Sequence, residues 1–190
     1  CRTWFGPEAA PLMTEALFLL EDVMEEIPGT PIDRKESVER CYDLMKQAGE
    51  LMPAWRRQQD YVWHMYMQKA AVDRYTQERV RQQKTLQQRL ETHLRDTAQP
   101  APDDALTTAL AWFDDLAETG TMASLRQEAF ALGEISNTRF GMRSEGMFNL
   151  EPVERYRYML NQAKIQANPA SATNDPKQVI KEANEIINNA

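Results

Sequence analysis

PAWRRQQDYVWHMYMQKAAVDRYTQERVRQQKTLQQRLETHLRDT, residues 53–97, is the stretch on which the fold class turns. Strong helix formers fill it: Ala, Leu, Met, Gln, Glu and Arg. As one helix it would extend about 68 Å at 1.5 Å per residue. Its two halves differ. Trp55, Tyr61, Trp63, Tyr66 and Tyr75 lie in the first, an aromatic content suited to half burial in a body. From Asp73 onward the aliphatic residues are Val80, Leu86, Leu90 and Leu94, set among Gln and Arg. That thin seam is of the coiled-coil kind, suited to one partner helix and too narrow for a core. The expectation is a long helix, partly projecting, with its seam open to another subunit.

The flanks repeat the helical signal. Leu12, Ala16, Leu20, Val23 and Ile27 recur at helical spacing over about 8–27, before Pro28-Gly29. Asp33 followed by Glu36 has the form of a capping box opening a second helix. Its stripe is Val38, Cys41, Tyr42, Met45, Ala48 and Met52, and Pro53 ends or kinks it. Beyond the long helix, residues 98–102 read as a linker around Pro100 and Pro102. A fourth helix follows to about Thr119, stopped by Gly120, and a fifth from Thr121 to about Ile135 carries Met122, Leu125, Ala129 and Leu132. Residues 137–149 read as a loop, and a sixth helix starts near Pro152. The architecture expected is all-α: a bundle of five or six helices in a domain over 1–167. A C-terminal extension, 168–190, adds a short docking helix with Val179, Ala183 and Ile186 on one face.

Composition agrees with a globular chain. The 190 residues are 42% hydrophobic and 27% charged. Net charge is −7, distributed unevenly: residues 1–52 hold 5 basic and 11 acidic side chains, whereas residues 53–97 hold 9 and 5. A protein that coats nucleic acid carries a basic excess, so the balance disfavours nucleic acid even though Trp55, Arg56 and Arg57 form a local aromatic and basic cluster. No apolar run reaches the ~20 residues of a membrane span. Cys1 at the first position fits a processed protein, trimmed after organellar import, lipidated as in a bacterial lipoprotein or relieved of an initiator methionine, and it equally fits a sequence that simply starts at this point. The bulky Trp4 and Phe5 next to it suit docking.

The search for chemistry returns little. His64 and His93 stand 29 positions apart on the long segment, so one helix holds them far from a common site. Neither has the Glu three residues earlier that di-metal bundles use. Cys1 and Cys41 form no Cys-x-x-Cys pair, and Cys41 falls in an apolar stripe as a small core residue. Gly141 to Gly146 lacks the lysine of a phosphate loop. No catalytic group, metal ligand or cofactor is assigned.

The functional expectation is a non-catalytic accessory or assembly subunit working through helix-mediated contacts with other proteins. Its candidate contact residues are Trp4, Phe5, Val80, Leu86, Leu90, Leu94, Val179, Ala183 and Ile186. The alternative is a helical small-molecule or lipid-binding module, walled by the aromatics of 55–75 and anchored through Cys1.

Overall fold

Helices carry the chain, and no strand occurs among the described residues. The computed structural model describes residues 1–24, 31–96, 107–108, 111 and 120–141. The elements are α1 (Arg2–Phe5), α2 (Ala10–Met24), a 3-10 turn (Ile32–Arg34), α3 (Glu36–Leu51), α4 (Ala54–Gln59), α5 (Tyr61–Asp96) and α6 (Thr121–Phe140). The class is all-α, as the sequence indicates. The chain divides into two compact units, Cys1–Val80 with Ser124–Leu150, and Arg81–Ala123 with Glu151–Ala190. The division crosses α5 between Val80 and Arg81, away from the boundaries read at 98–102 and 168. The linker 98–102, most of the fourth helix, the sixth helix and the extension 168–190 lie outside the described residues.

In the first unit, α2 and α3 form an antiparallel pair. Arg40 Nε donates to Glu15 Oε1 at 2.8 Å, the Cys41 thiol to the Ala16 carbonyl at 3.3 Å, and Lys35 Nζ to the Asp22 carbonyl at 2.8 Å. Residue 35 meets residue 22 and residue 40 meets residue 15, so the two helices run in opposite directions. Met13, Ala16 and Leu20 are buried on α2, and the whole stripe Val38, Cys41, Tyr42, Met45, Ala48 and Met52 is buried on and just after α3. Each large side chain so enclosed stabilises the fold by roughly 1.5–3 kcal/mol. Pro11 sits in the first turn of α2, where its missing amide has no partner to lose.

The start of α3 departs from the capping box. Asp33 lies within the 3-10 turn, and the residue at the cap of α3 is Lys35, which makes no side-chain cap bond. What holds this entry is distant in sequence. Gln77 Nε2 donates to the carbonyls of Ile32, at 2.9 Å, and Lys35, at 2.7 Å. These carbonyls also accept the Lys35 and Val38 amides, at 3.2 and 3.3 Å, so the α5 side chain adds a second donor to each and ties the turn before α3 to α5.

The long segment is also two helices instead of one. Asp60 adopts an extended conformation, φ −83° and ψ 102°, closing α4. Its Oδ1 accepts the Trp63 amide at 3.0 Å, which makes it the cap of α5. From Ala70 to Tyr75 every residue of α5 is buried, including Asp73 and Arg74. A helix enclosed on all sides is the centre of its unit. Its charged residues stay inside because they are paired: Arg74 with Glu39 at 3.1 Å and Glu78 at 3.2 Å, and Asp73 with Lys69.

α6 buries Met122, Leu125, Ala129 and Leu132, and it continues past Ile135 to Phe140. Gly141, at φ +64°, then ends it in the left-handed conformation that glycine adopts without penalty. Residues 137–140, read as the start of a loop over 137–149 that contains Gly141, Ser144 and Gly146, are its last turn.

Candidate docking surface

The antiparallel pairing puts the N-terminal end of α2 beside the C-terminal end of α3. α1 leads into the first of these, and α4 leaves the second. Four large apolar side chains are exposed on α1, at the end of α3, on α4 and at the start of α5: Trp4 at 60%, Leu51 at 46%, Trp55 at 62% and Tyr61 at 42%. Scattered apolar residues on a surface are ordinary, whereas several aromatics gathered at one end of a helical pair mark an interaction surface.

The backbone under this corner is firmly held. The last carbonyls of a helix lack partners within it. Arg57 Nη1 donates to the Gly49 carbonyl at 3.0 Å and so ties α4 to the final turn of α3. Arg139 Nη1, from the end of α6, donates to the Gln58 carbonyl at 2.7 Å. Tyr61 stands edge-on to Phe140, with ring centroids 5.7 Å apart. Arg56 lies over the Trp55 ring at 5.6 Å. The aromatic faces are thus presented by a rigid frame, which limits the entropy lost when a partner covers them.

The expected contact residues are placed unequally. Trp4 is exposed, as a contact residue must be. Phe5 is not: it is 4% exposed and belongs to the protein's own core, because adjacent positions on a helix point in different directions. Val80 is half-buried on α5. Leu86, Leu90 and Leu94 lie on the backbone of α5, with side chains outside the described residues, and Val179, Ala183 and Ile186 lie wholly outside them. Leu51 and Tyr61 were not singled out as contacts from sequence, nor was Phe18, 68% exposed on α2. Leu51 and Phe18 stand at apolar positions flanking a stripe, so no signal in one sequence separates them from core.

A second surface feature is an open groove of about 750 Å³ on α2 and α3, lined by Leu19, Glu36, Glu39, Arg40, Asp43 and Leu44. Arg40 is bound to Glu15, and the other charged lining residues are carboxylates, which repel a phosphate backbone.

The interior holds reactive groups in quiet settings. The Cys41 thiol is pushed up to about 11, first by burial and next by the nearby Asp73 carboxylate. Tyr42 donates to Glu128, and Lys46 Nζ lies 3.2 Å from the Tyr42 hydroxyl, joining α3 to α6. Burial, and then the bond to Glu128, raises the Tyr42 phenol. Trp63 and Tyr75, taken from sequence as a possible pocket wall, are buried. No three His, Cys, Asp or Glu side chains gather as a metal site among the described residues. No helix among them is long and apolar enough to cross a membrane. The chain matches no family model, no curated protein and no solved structure.

Proposed function

We propose that this protein is an accessory or assembly subunit of a larger complex, acting through helix-mediated contacts with other proteins and without catalysis of its own. The observation that carries this reading is the exposed group Trp4, Leu51, Trp55 and Tyr61 on a corner braced by Arg57 and Arg139. Tryptophan and tyrosine dominate binding energy where a partner excludes water from them. The seam Val80, Leu86, Leu90 and Leu94 on α5 supplies a second helical contact in the same reading.

The test is the native mass of the particle that contains the protein, with its components identified, for the wild type and for Trp4→Ser/Trp55→Ser. The wild type should sediment well above the 21.9 kDa of one chain. The variant should keep its helical circular dichroism and its melting temperature, since exposed substitutions stay within about 0.5 kcal/mol, and should lose the added mass. A 21.9 kDa particle for the wild type, or equal large particles for both proteins, refutes the assignment.

A further inference from the structure

His64 occupies the joint between α4, α5 and the end of α6. It is 4% exposed, and neither ring nitrogen makes a hydrogen bond. The ring lies between the Trp63 indole, at a centroid distance of 5.0 Å, and the Phe140 ring, at 5.4 Å. Buried imidazoles normally fix their tautomer through a bond to one nitrogen. This one has a ring on either side and no such bond, which suits the neutral form and not the cation.

The charged groups around it decide what a proton would do. Arg139, next to Phe140 on α6, already places a guanidinium nearby and uses it to hold the Gln58 carbonyl at 2.7 Å. That carbonyl, with the Arg57 carbonyl, is also among the groups that would favour a charged His64. Asp60 would favour the cation too, but its Oδ1 is engaged by the Trp63 amide. Burial is the largest influence and lowers the affinity of His64 for a proton. The Gln58 carbonyl opposes this, and Arg139 reinforces it. An imidazolium here would be a second cation contending for the acceptor that Arg139 holds.

We propose that His64 is an acid-operated latch: protonation of its imidazole displaces either the ring or Arg139, and so frees the last turn of α6 from the α4–α5 corner. Phe140 and Arg139 are the final two residues of α6, and Gly141 follows at φ +64°. The turn can therefore open without unwinding the helix ahead of it. The sign follows from linkage. A histidine whose folded affinity for protons is below that of the unfolded chain leaves the latch intact above about pH 6.5. The latch weakens as pH falls through that value toward the folded one.

The test is amide hydrogen exchange of residues 134–140 in the full chain at about pH 7.5 and about pH 5, the window in which histidine titrates. Rates are corrected for the intrinsic pH dependence of exchange. His93→Gln serves as the background, so that one imidazole resonance reports His64 by NMR. Local opening should increase on acidification by about tenfold for every pH unit separating the His64 midpoint from that of an exposed histidine. His64→Gln should remove the dependence. Arg139→Gln should raise the His64 midpoint by freeing the Gln58 carbonyl, a readout that survives if His64→Gln fails to fold. Exchange that is equal at both pH values in the wild type overturns the proposal. So does an acid response that persists in His64→Gln, or a His64 midpoint unmoved in Arg139→Gln.

Discussion

Gly49→Ala should destabilise the protein, against the usual direction for a helix interior. Gly49 lies in α3, two residues before its end, and is buried. Replacing glycine by alanine inside a helix ordinarily stabilises by roughly 0.5–1 kcal/mol, because the backbone loses less entropy on folding. Here a Cβ would stand 2.7 Å from Cζ2 of Trp63 and 3.2 Å from its Cε2. Trp63 is itself 8% exposed and packed against His64, so its indole has no free direction in which to yield. Overpacking of this kind costs about 1–3 kcal/mol. The steric cost outweighs the entropic gain, and the net loss is about 1 kcal/mol. In a protein of this size that lowers the melting temperature by about 2–4 °C. The discriminating assay is a double-mutant cycle in urea, read by circular dichroism. Trp63→Phe removes the far edge of the indole and loses stability by itself through the cavity it leaves. In that background Gly49→Ala should become stabilising, with a coupling of about 1–2 kcal/mol between the two sites. A stabilising Gly49→Ala in the wild type, or additivity within about 0.5 kcal/mol, would refute the steric reasoning.

Further outcomes test other contacts. Gln77→Leu should cost about 1–2 kcal/mol of unfolding free energy, by removing two hydrogen bonds from the Ile32 and Lys35 carbonyls, which keep the Lys35 and Val38 amides, and an unchanged urea midpoint would show that the Gln77 bonds contribute nothing net. Burial raises the Asp73 carboxyl above its ordinary value, Lys69 opposing. The native state therefore holds that proton more tightly than the unfolded chain, and ionising Asp73 costs stability as pH rises from about 4 toward the folded value. At neutral pH Asp73→Asn should accordingly be neutral or stabilising, whereas Lys69→Met should destabilise by about 1 kcal/mol by leaving the carboxylate alone; the reverse order in thermal melts would contradict this. Cys1 is exposed and Cys41 buried, and the Cys41 thiol near 11 carries little thiolate at neutral pH. A disulfide reagent at about pH 8 should take one equivalent quickly and a second only on unfolding, and two fast equivalents would mean that the core around Cys41 opens.

The docking corner was only partly legible. Trp4 and Trp55 invite attention in any sequence as large aromatics, but Trp4 stands next to Phe5 and Trp55 eight residues before Trp63. One of each pair is exposed and the other buried. Local pattern does not make that choice, since aromatic residues serve cores and interfaces alike. It follows from which elements pack over each side chain, and that is set by residues distant in the chain.

The sequence by itself determined what depends on spacing along one helix. The all-α class, the stripe from Val38 to Met52, the Met122 to Leu132 face of α6 and the burial of Cys41 all follow from periodicity and composition. Tertiary structure alone decided what depends on residues far apart in the chain. Gln68, Asp73, Arg74 and Gln77 interrupt the apolar pattern of α5 and look solvated in a linear reading, yet all four are buried. Glu39 provides a partner for Arg74 from α3, and the carbonyls of residues 32 and 35 provide partners for Gln77. A polar group enters a core when its hydrogen bonds are met there; Glu78 is a local partner of Arg74, but Glu39 and the carbonyls that Gln77 meets lie 35 to 45 positions away. The same distance dependence applies at the start of α3. A capping box is a local pattern; α3 starts after Lys35 without a side-chain cap bond from it, and the turn before the helix is tied to α5 by Gln77.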